Sequence, residues 1–232
     1  MNKTLIAVVN ARHRSKWRSL VRNTWMPQVP PDKADAFFFM GNGEPREFLE
    51  DEVALDCSDK YEHLPEKIQN IAKWALERGY SYMLKCDDDV VLKPKALLSS
   101  GYEKHDFSGK ANRPPQPYVV SYGFNYWLSR KSMEVVAAAP LPPDGSNDDE
   151  KWVAKHLWDH GIVLYDDCRY KLQMGGEIYP EMEFRRQRII QRRIAPIRDP
   201  EIISRCIHME GAKEEERLKE FRTVFYKYGE KP

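Results

Sequence analysis

Residues 82–92 read Tyr82-Met83-Leu84-Lys85-Cys86-Asp87-Asp88-Asp89-Val90-Val91-Leu92, an apolar run into three adjacent carboxylates and an apolar run out. Alternate side chains of an extended backbone share a face, so Asp87 and Asp89 are expected to point into one pocket and Asp88 the other way. Carboxylates crowded at the end of a buried strand repel one another unless a cation offsets them. Hard divalent cations take oxygen ligands, and magnesium often shares its shell between one or two carboxylates and substrate phosphates. An isolated acidic triplet is more often a solvated surface turn. Here the apolar flanks place it at the end of a buried strand.

Upstream of this stretch the pattern alternates between strands and helices. Leu5–Val9 is a β-branched apolar run, expected as a central strand. Between Arg14 and Trp25, the residues Trp17, Leu20, Val21, Thr24 and Trp25 recur at helical spacing, and Pro27 stops the helix. Ala36–Met40 reads as a second strand turned by Gly41-Asn42-Gly43, and Val53–Leu55 as a short third. Leu64–Arg78 is amphipathic, with Pro65 in its first turn, Ile68, Ile71, Ala72, Ala75 and Leu76 on one face, and Gly79 at its end. Strand, helix, strand, strand, helix, strand predicts an α/β fold whose sheet is mainly parallel and flanked by helices. Ligands of such sheets bind at the carboxyl ends of the strands, where the acidic triplet lies.

Downstream, residues 101–117 are polar and rich in Pro, Lys and Gly, which suggests an exposed loop or hairpin. Tyr118–Tyr122 reads as a strand, followed by a helix around Arg130–Ala138 that Pro140, Pro142, Pro143 and Gly145 break. Asn147-Asp148-Asp149-Glu150 opens a helix whose positive dipole end suits acids, and that helix ends at Gly161. Ile162–Tyr165 reads as the last clear strand.

A chain of 232 residues, 41% hydrophobic and 31% charged, fits one large domain or two small ones. A formal net charge of +1 excludes a polycation built to coat nucleic acid. Cys57, Cys86, Cys168 and Cys206 form no CxxC pair, which argues against a zinc ribbon or a thioredoxin-like motif. A reduced, cytoplasmic setting is the simpler expectation. No stretch reaches the ~20 apolar residues of a membrane span. Thr4–Val9 is short for a signal peptide and runs at once into Asn10-Ala11-Arg12-His13-Arg14, so it reads as the first strand.

Five segments resemble the beta-1,3-galactosyltransferase and Fringe-like family, glycosyltransferase family 31. Arg18-Ser19-Leu20-Val21-Arg22-Asn23-Thr24-Trp25 is similar to its Arg…Ile-Arg-x-Thr-Trp helix. Tyr61-Glu62-His63-Leu64-Pro65-Glu66-Lys67 resembles its Tyr-x-Asn-Leu-Thr-x-Lys segment, with Trp74 following. Lys85-Cys86-Asp87-Asp88-Asp89-Val90 resembles its Lys-x-Asp-Asp-Asp-Val strand. The segment from Tyr122 to Ser129 is similar to its Gly-x-Gly-Tyr-x-x-Ser block, and Asp149-Glu150-Lys151-Trp152-Val153-Ala154 sits where the family has Glu-Asp-Val-x-x-Gly. Asn125, Pro65, Lys151 and Ala154 depart from the pattern.

The resemblance implies a GT-A fold, a Rossmann-like nucleotide-binding half with a mixed central sheet. It also implies a UDP-sugar donor, Mn2+ or Mg2+, and inversion at the anomeric carbon. On this basis residues 1–92 are expected to form the nucleotide-sugar half and 93–180 the acceptor half. Residues 181–232 would be a basic arm and helix completing the site. Asp89 would be the direct metal ligand, assisted by Asp87 or Asp88, with Asp87 nearer the ribose. His208, in Cys206-Ile207-His208-Met209, would supply an imidazole to the metal. A positioned carboxylate must take the acceptor proton; alignment with Gly161-Ile162 makes it Glu150, and a slip of one residue makes it Asp149. Among the cations of the first half, Arg12, Arg14, Arg18, Arg22, Lys67 and Lys85 are candidates for the uridine or the phosphates. Lys67 and Lys85 match family positions and so rank above Arg12. Trp17, Trp25 and Trp74 read as core; Tyr126 and Trp127 read equally as acceptor lining or as buried.

The region from Phe184 to Arg205 holds Arg185, Arg186, Arg188, Arg192, Arg193, Arg198 and Arg205 against only Asp199 and Glu201. Such a patch attracts polyanions even in a near-neutral chain. A glycan acceptor is favoured. DNA carrying hydroxymethylated bases, held through Arg185–Arg193, is the alternative. A metal-dependent nuclease and a non-catalytic nucleotide-sugar-binding module are the readings from other classes.

Overall fold

The first strand, β1 (Thr4–Val9), is buried along its whole length, as a parallel strand covered on both faces must be. The structure, a computed structural model, describes residues 3–42, 48–112, 118–143, 145, 148–167, 169–174, 204–208 and 213–228. After β1 come α1 (Ser15–Arg22), β2 (Ala34–Met40), β3 (Glu52–Ala54), α2 (Leu64–Glu77), β4 (Tyr82–Asp87), β5 (Val90–Leu92) and α3 (Pro94–Leu98). Then follow β6 (Phe107–Asn112), β7 (Val120–Ser129), α4 (Arg130–Ala138), α5 (Asp149–Asp159), β8 (Tyr165–Asp166), β9 (Tyr170–Met174), β10 (Ser204–His208) and a last helix, α6 (Glu214–Tyr228).

A seven-stranded sheet has the order β3-β2-β1-β4-β7-β6-β8. Its first four strands are parallel, β7 runs antiparallel to both β4 and β6, and β8 runs parallel to β6. This is the mixed sheet expected of a GT-A-like fold. Period-two alternation sends Leu5, Ala7 and Val9 into one core with α2, α4 and α5. Ile6 and Val8 point into the other, with Trp17 of α1 and Phe221 of α6. The register aligns Val9 with both Phe39 and Asp87, so β1, β2 and β4 end at one level. A second, three-stranded sheet, β5-β10-β9, grows from the far side of the acidic turn. No helix among the described residues is long and apolar enough to cross a membrane.

Two expectations from the sequence need correction, and a third is decided between its alternatives. Residues 101–117 contain β6, which pairs antiparallel with β7, so the hairpin holds rather than the loop. That strand is Phe-Ser-Gly-Lys-Ala-Asn, without β-branched residues, and it exists because β7 pairs with it. Gly109 permits the close approach: a Cβ there would lie 2.8 Å from Ser121 Oγ. Of the expected strand Tyr118–Tyr122 only Val120–Tyr122 is strand, and it opens β7, which continues to Ser129. Ile162 and Leu164 are buried but lie outside β8, so that strand spans two residues and not four. Packing, not backbone pairing, accounts for their apolar character.

Candidate active site

The acidic triplet is not an extended run. β4 ends at Asp87, and Asp88 and Asp89 form the turn into β5. The alternation expected for three strand residues therefore gives way to three separate partners. Asp88 is buried and accepts two hydrogen bonds from Arg14, at 2.5 and 2.6 Å, and one from Asn10 Nδ2 at 2.5 Å. Burial pushes its carboxyl up, and the Arg14 guanidinium opposes that rise. Asp89 accepts from Arg217 Nη2 of α6 at 2.7 Å. Asp87 pairs with Lys85 Nζ at 2.7 Å and keeps 37% of its side chain exposed. Desolvation pushes the Asp87 carboxyl up to about 7, with the Lys85 charge opposing and the neighbouring Asp89 adding to the rise.

Lys85 joins this turn to the opposite wall. Its ammonium is buried and donates to the Gly123 carbonyl oxygen of β7. It also lies 3.7 Å from Asp149 Oδ2 and 5.6 Å from the centre of the Tyr126 ring. Burial works against its charge, but Asp149 and Asp87 outweigh it and raise the pKa. Asp149 and Glu150 sit in the first turn of α5, where the helix dipole favours acids. Asp149 is 3% exposed and accepts a hydrogen bond from Tyr126 OH at 3.1 Å. Glu150 packs over Gly123: a Cβ on that glycine would stand 3.0 Å from Glu150 Oε2 and 3.2 Å from its Cδ. Burial and the Asp149 charge push the Glu150 carboxyl up to about 7. The 65%-exposed Tyr61 feels Glu150, Asp87 and Asp149, which together with burial raise its pKa.

The other predicted cations divide sharply. Lys67 is buried, donating to Asn10 O at 3.0 Å and Asp59 Oδ1 at 2.6 Å. Asp59 also accepts from the backbone amides of Gly41 at 2.6 Å and Arg12 at 2.8 Å. Burial raises the Asp59 pKa, but Lys67 and these amides outweigh it and hold the carboxyl below its ordinary value. Arg18 is 2% exposed and points inward, to Asn10, Ala11 O, Arg12 O and Glu52. Arg22 lies away from the acidic turn. It pairs with Asp51 at 2.7 Å and Glu52 at 2.6 Å beside an open pocket that Met26, Val29 and Ala34 also line. Trp17, Trp25 and Trp127 are fully buried, as is Tyr126. Trp127 donates to Tyr170 OH and Trp25 to Val90 O.

Sequence reasoning did not single out Asn10, Asp59, Gly123 or Arg217 as site residues. Asn10, directly after the first strand, was findable from the rule that ligands gather at strand ends. Nothing in the sequence signals that Arg217 returns across 128 residues to Asp89. His208 closes β10, whose antiparallel register with β5 pairs Cys206 with Val90. β10 continues two residues past that pair, on the side from which the acidic turn enters β5. The His208 side chain, and the segment from Arg185 to Arg193, lie outside the described residues.

Among the described residues no three His, Cys, Asp or Glu side chains converge into a closed metal centre. The donor set at the turn still fits a hard divalent cation. Asp87 offers a part-exposed carboxylate, and the mutual repulsion of Asp87 and Asp89 is a charge that a cation relieves. Magnesium and manganese take few protein oxygens and complete their shells with water and phosphate.

The galactosyltransferase family model matches residues 16–113. That stretch runs from α1 past β6 and includes Lys67, Lys85 and Asp87–Asp89, but stops before Asp149 and Glu150. A solved structure described as a glycosyltransferase involved in the glycosylation of the major capsid of PBCV-1 superimposes with a TM-score of 0.52 at 11% identity. The match covers 97% of this chain and 100% of that one, a likeness of fold. No curated protein matches the chain. Both matches are to glycosyltransferases, the enzyme class expected from the motifs, and the matching family is the one those motifs resemble.

Proposed function

We propose that the chain transfers a hexose or N-acetylhexosamine from a UDP-sugar to a hydroxyl of a glycan, with inversion, and that Glu150 is the base. The observation that carries this reading is the pair of carboxyls, Asp87 and Glu150, linked through Lys85 and Gly123: Lys85 pairs with Asp87 at 2.7 Å and donates to the Gly123 carbonyl, and Glu150 packs over Gly123. One belongs to the turn where a diphosphate would sit. The other belongs to the opposite wall, where an acceptor would approach. A direct displacement needs this division: charge is stabilised at the leaving group while a proton is taken from the nucleophile.

Asp87 and Asp89 would hold Mn2+ or Mg2+, with His208 as a further ligand consistent with its place on β10. A cation held there would supply Lewis-acid stabilisation to a departing diphosphate. Glu150, once ionised, accepts the acceptor hydroxyl proton. A carboxylate with a pKa near neutrality is a stronger base than an ordinary one and is still half ionised at pH 7. Asp149 is committed to Tyr126 and to Lys85, and so positions rather than reacts. Lys85 fixes the spacing between the two walls and neutralises Asp87 until a cation arrives. Lys67 and Arg18 act one layer back, setting the loops after β1 and β2 that would cradle the nucleotide.

The test is UDP release from a panel of UDP-hexoses and UDP-N-acetylhexosamines, with manganese, in the presence of oligosaccharide acceptors. One donor should give acceptor-dependent release that chelation abolishes and Glu150→Gln removes. Metal-dependent cleavage of plain DNA with no response to any UDP-sugar would overturn the reading in favour of a nuclease.

A further inference from the structure

The C-terminal helix carries a cation to the acidic turn that the proposed mechanism does not use. α6 docks through Leu218, Phe221 and Val224, all buried, with Phe221 edge-on to Trp17 of α1 at 6.1 Å. One turn before Phe221, Arg217 reaches back and donates to Asp89 Oδ2 at 2.7 Å. Its guanidinium also lies 5.2 Å from the centre of the Trp17 ring, and that of Arg14 lies 4.9 Å from it. Arg14 holds Asp88 and Arg217 holds Asp89, so two arginines share one indole and grip two successive carboxylates. Among the described residues the buried Arg217 Nε has no hydrogen-bond partner, a cost that the contact with Asp89 alone does not remove.

We propose that Arg217 is a diphosphate-binding residue: it occupies Asp89 in the free enzyme and passes to the donor diphosphate when a divalent cation takes Asp89. The inference rests on the donor site proposed above. A guanidinium and a divalent cation compete for one carboxylate, and the incoming ion repels the displaced arginine. A diphosphate supplies anionic oxygens for which the guanidinium fork is suited, and it gives Nε the acceptor it lacks. The Trp17 ring and the docked helix let the fork shift without leaving the site. The chain's last helix thereby becomes part of donor binding, although it lies outside the stretch that the family model matches.

The experiment is isothermal titration of the full chain, first with manganese alone and then with UDP at saturating manganese. It compares wild type with Arg217→Met, Arg217→Lys and Glu214→Gln. Arg217→Met should weaken UDP about tenfold or more, the loss expected of one charge-assisted phosphate contact, and should tighten manganese alone by a few-fold. Arg217→Lys, which keeps the charge but not the fork, should fall between. Glu214→Gln removes only the exposed contact of the same helix with Lys16 and should match wild type in both titrations. If Arg217→Met binds UDP within twofold of wild type, Arg217 is a structural clip and the proposal fails while the donor site stands. If Arg217→Met does not fold, Arg217→Lys decides: UDP affinity equal to wild type overturns the proposal, and a loss of threefold or more supports it. If wild type itself binds no UDP with manganese, the donor site fails and this inference with it.

Discussion

Glu150 can take a proton only when ionised, and its surroundings resist ionisation. Burial and Asp149 push its pKa up to about 7, so kcat/KM should rise through an acid limb with a midpoint near pH 7. Glu150→Gln should lower kcat by about 10²- to 10⁴-fold and abolish that limb, while UDP binding measured by titration stays as in wild type. The same shift has a stability consequence of fixed sign. A carboxyl whose folded pKa lies above its unfolded value stabilises the fold below the unfolded pKa, near 4.5, and that contribution is lost as pH rises through about 7. Glu150→Gln should therefore be more stable than wild type at pH 8, by on the order of 1 kcal/mol, and show little difference at pH 4. Asp149→Asn should do the opposite, because it removes the carboxylate charge 3.7 Å from the buried Lys85 ammonium. Its melting temperature should fall at all pH values where the wild type is folded. Gly123→Ala tests the wall under the base: a Cβ 3.0 Å from Oε2 must push the carboxylate aside. A tenth or less of wild-type kcat, roughly, with donor KM unchanged, is the expected result. The two acids of α5 could not be separated by sequence alone, because both satisfy the helix dipole. Their burial and partners separate them, and those depend on where β7 runs.

The loops after β1 and β2 and the start of α2 meet at Asp59, which accepts from Lys67, Gly41 N and Arg12 N. Asp59→Asn would leave the buried Lys67 without its counter-charge and should cost about 3 kcal/mol in urea denaturation at pH 7. Because these partners hold the Asp59 carboxyl below its ordinary value, its contribution is present above the unfolded pKa near 4 and disappears as pH falls further. The difference between wild type and variant should accordingly shrink towards pH 3. Elements with strong local signals were legible: β1, α1, β2, α2 and β4 each carry a continuous apolar run or a helical stripe. β6 was not, since its Ser, Gly, Lys and Asn disfavour a strand and pairing with β7 alone specifies it. The acidic turn was legible as a site because its chemistry is local. Asp59 was not, because a lone Asp between two elements gives no hint that three segments converge on it.

The whole molecule surrounds its site with pieces far apart in sequence: Asn10 and Arg14 after β1, Asp87–Asp89 after β4, Glu150 at the head of α5, and Arg217 on α6. Helices cover both faces of the sheet, and each of the two cores draws on the first strand and on elements beyond residue 120. Unfolding should therefore be cooperative, and a ligand at the strand ends should stabilise the whole chain. At a UDP concentration of 100 Kd, with saturating manganese, binding adds about 2.7 kcal/mol. For a chain of this length that corresponds to a rise in Tm of about 5–10 °C. UDP alone should give a much smaller shift, because Lys85 and Arg217 would then stay on Asp87 and Asp89 and leave the diphosphate charge poorly compensated. Manganese alone should also give a small one, having to displace Lys85 and Arg217 from those carboxylates without the phosphates that would receive them. The informative quantity is thus the excess of the joint shift over the sum of the separate ones, read by scanning calorimetry. A full shift with UDP after chelation would mean that Arg14, Lys85 and Arg217 carry the diphosphate charge unaided, and the cation would leave the mechanism. No shift under any combination would remove the nucleotide from this end of the sheet altogether.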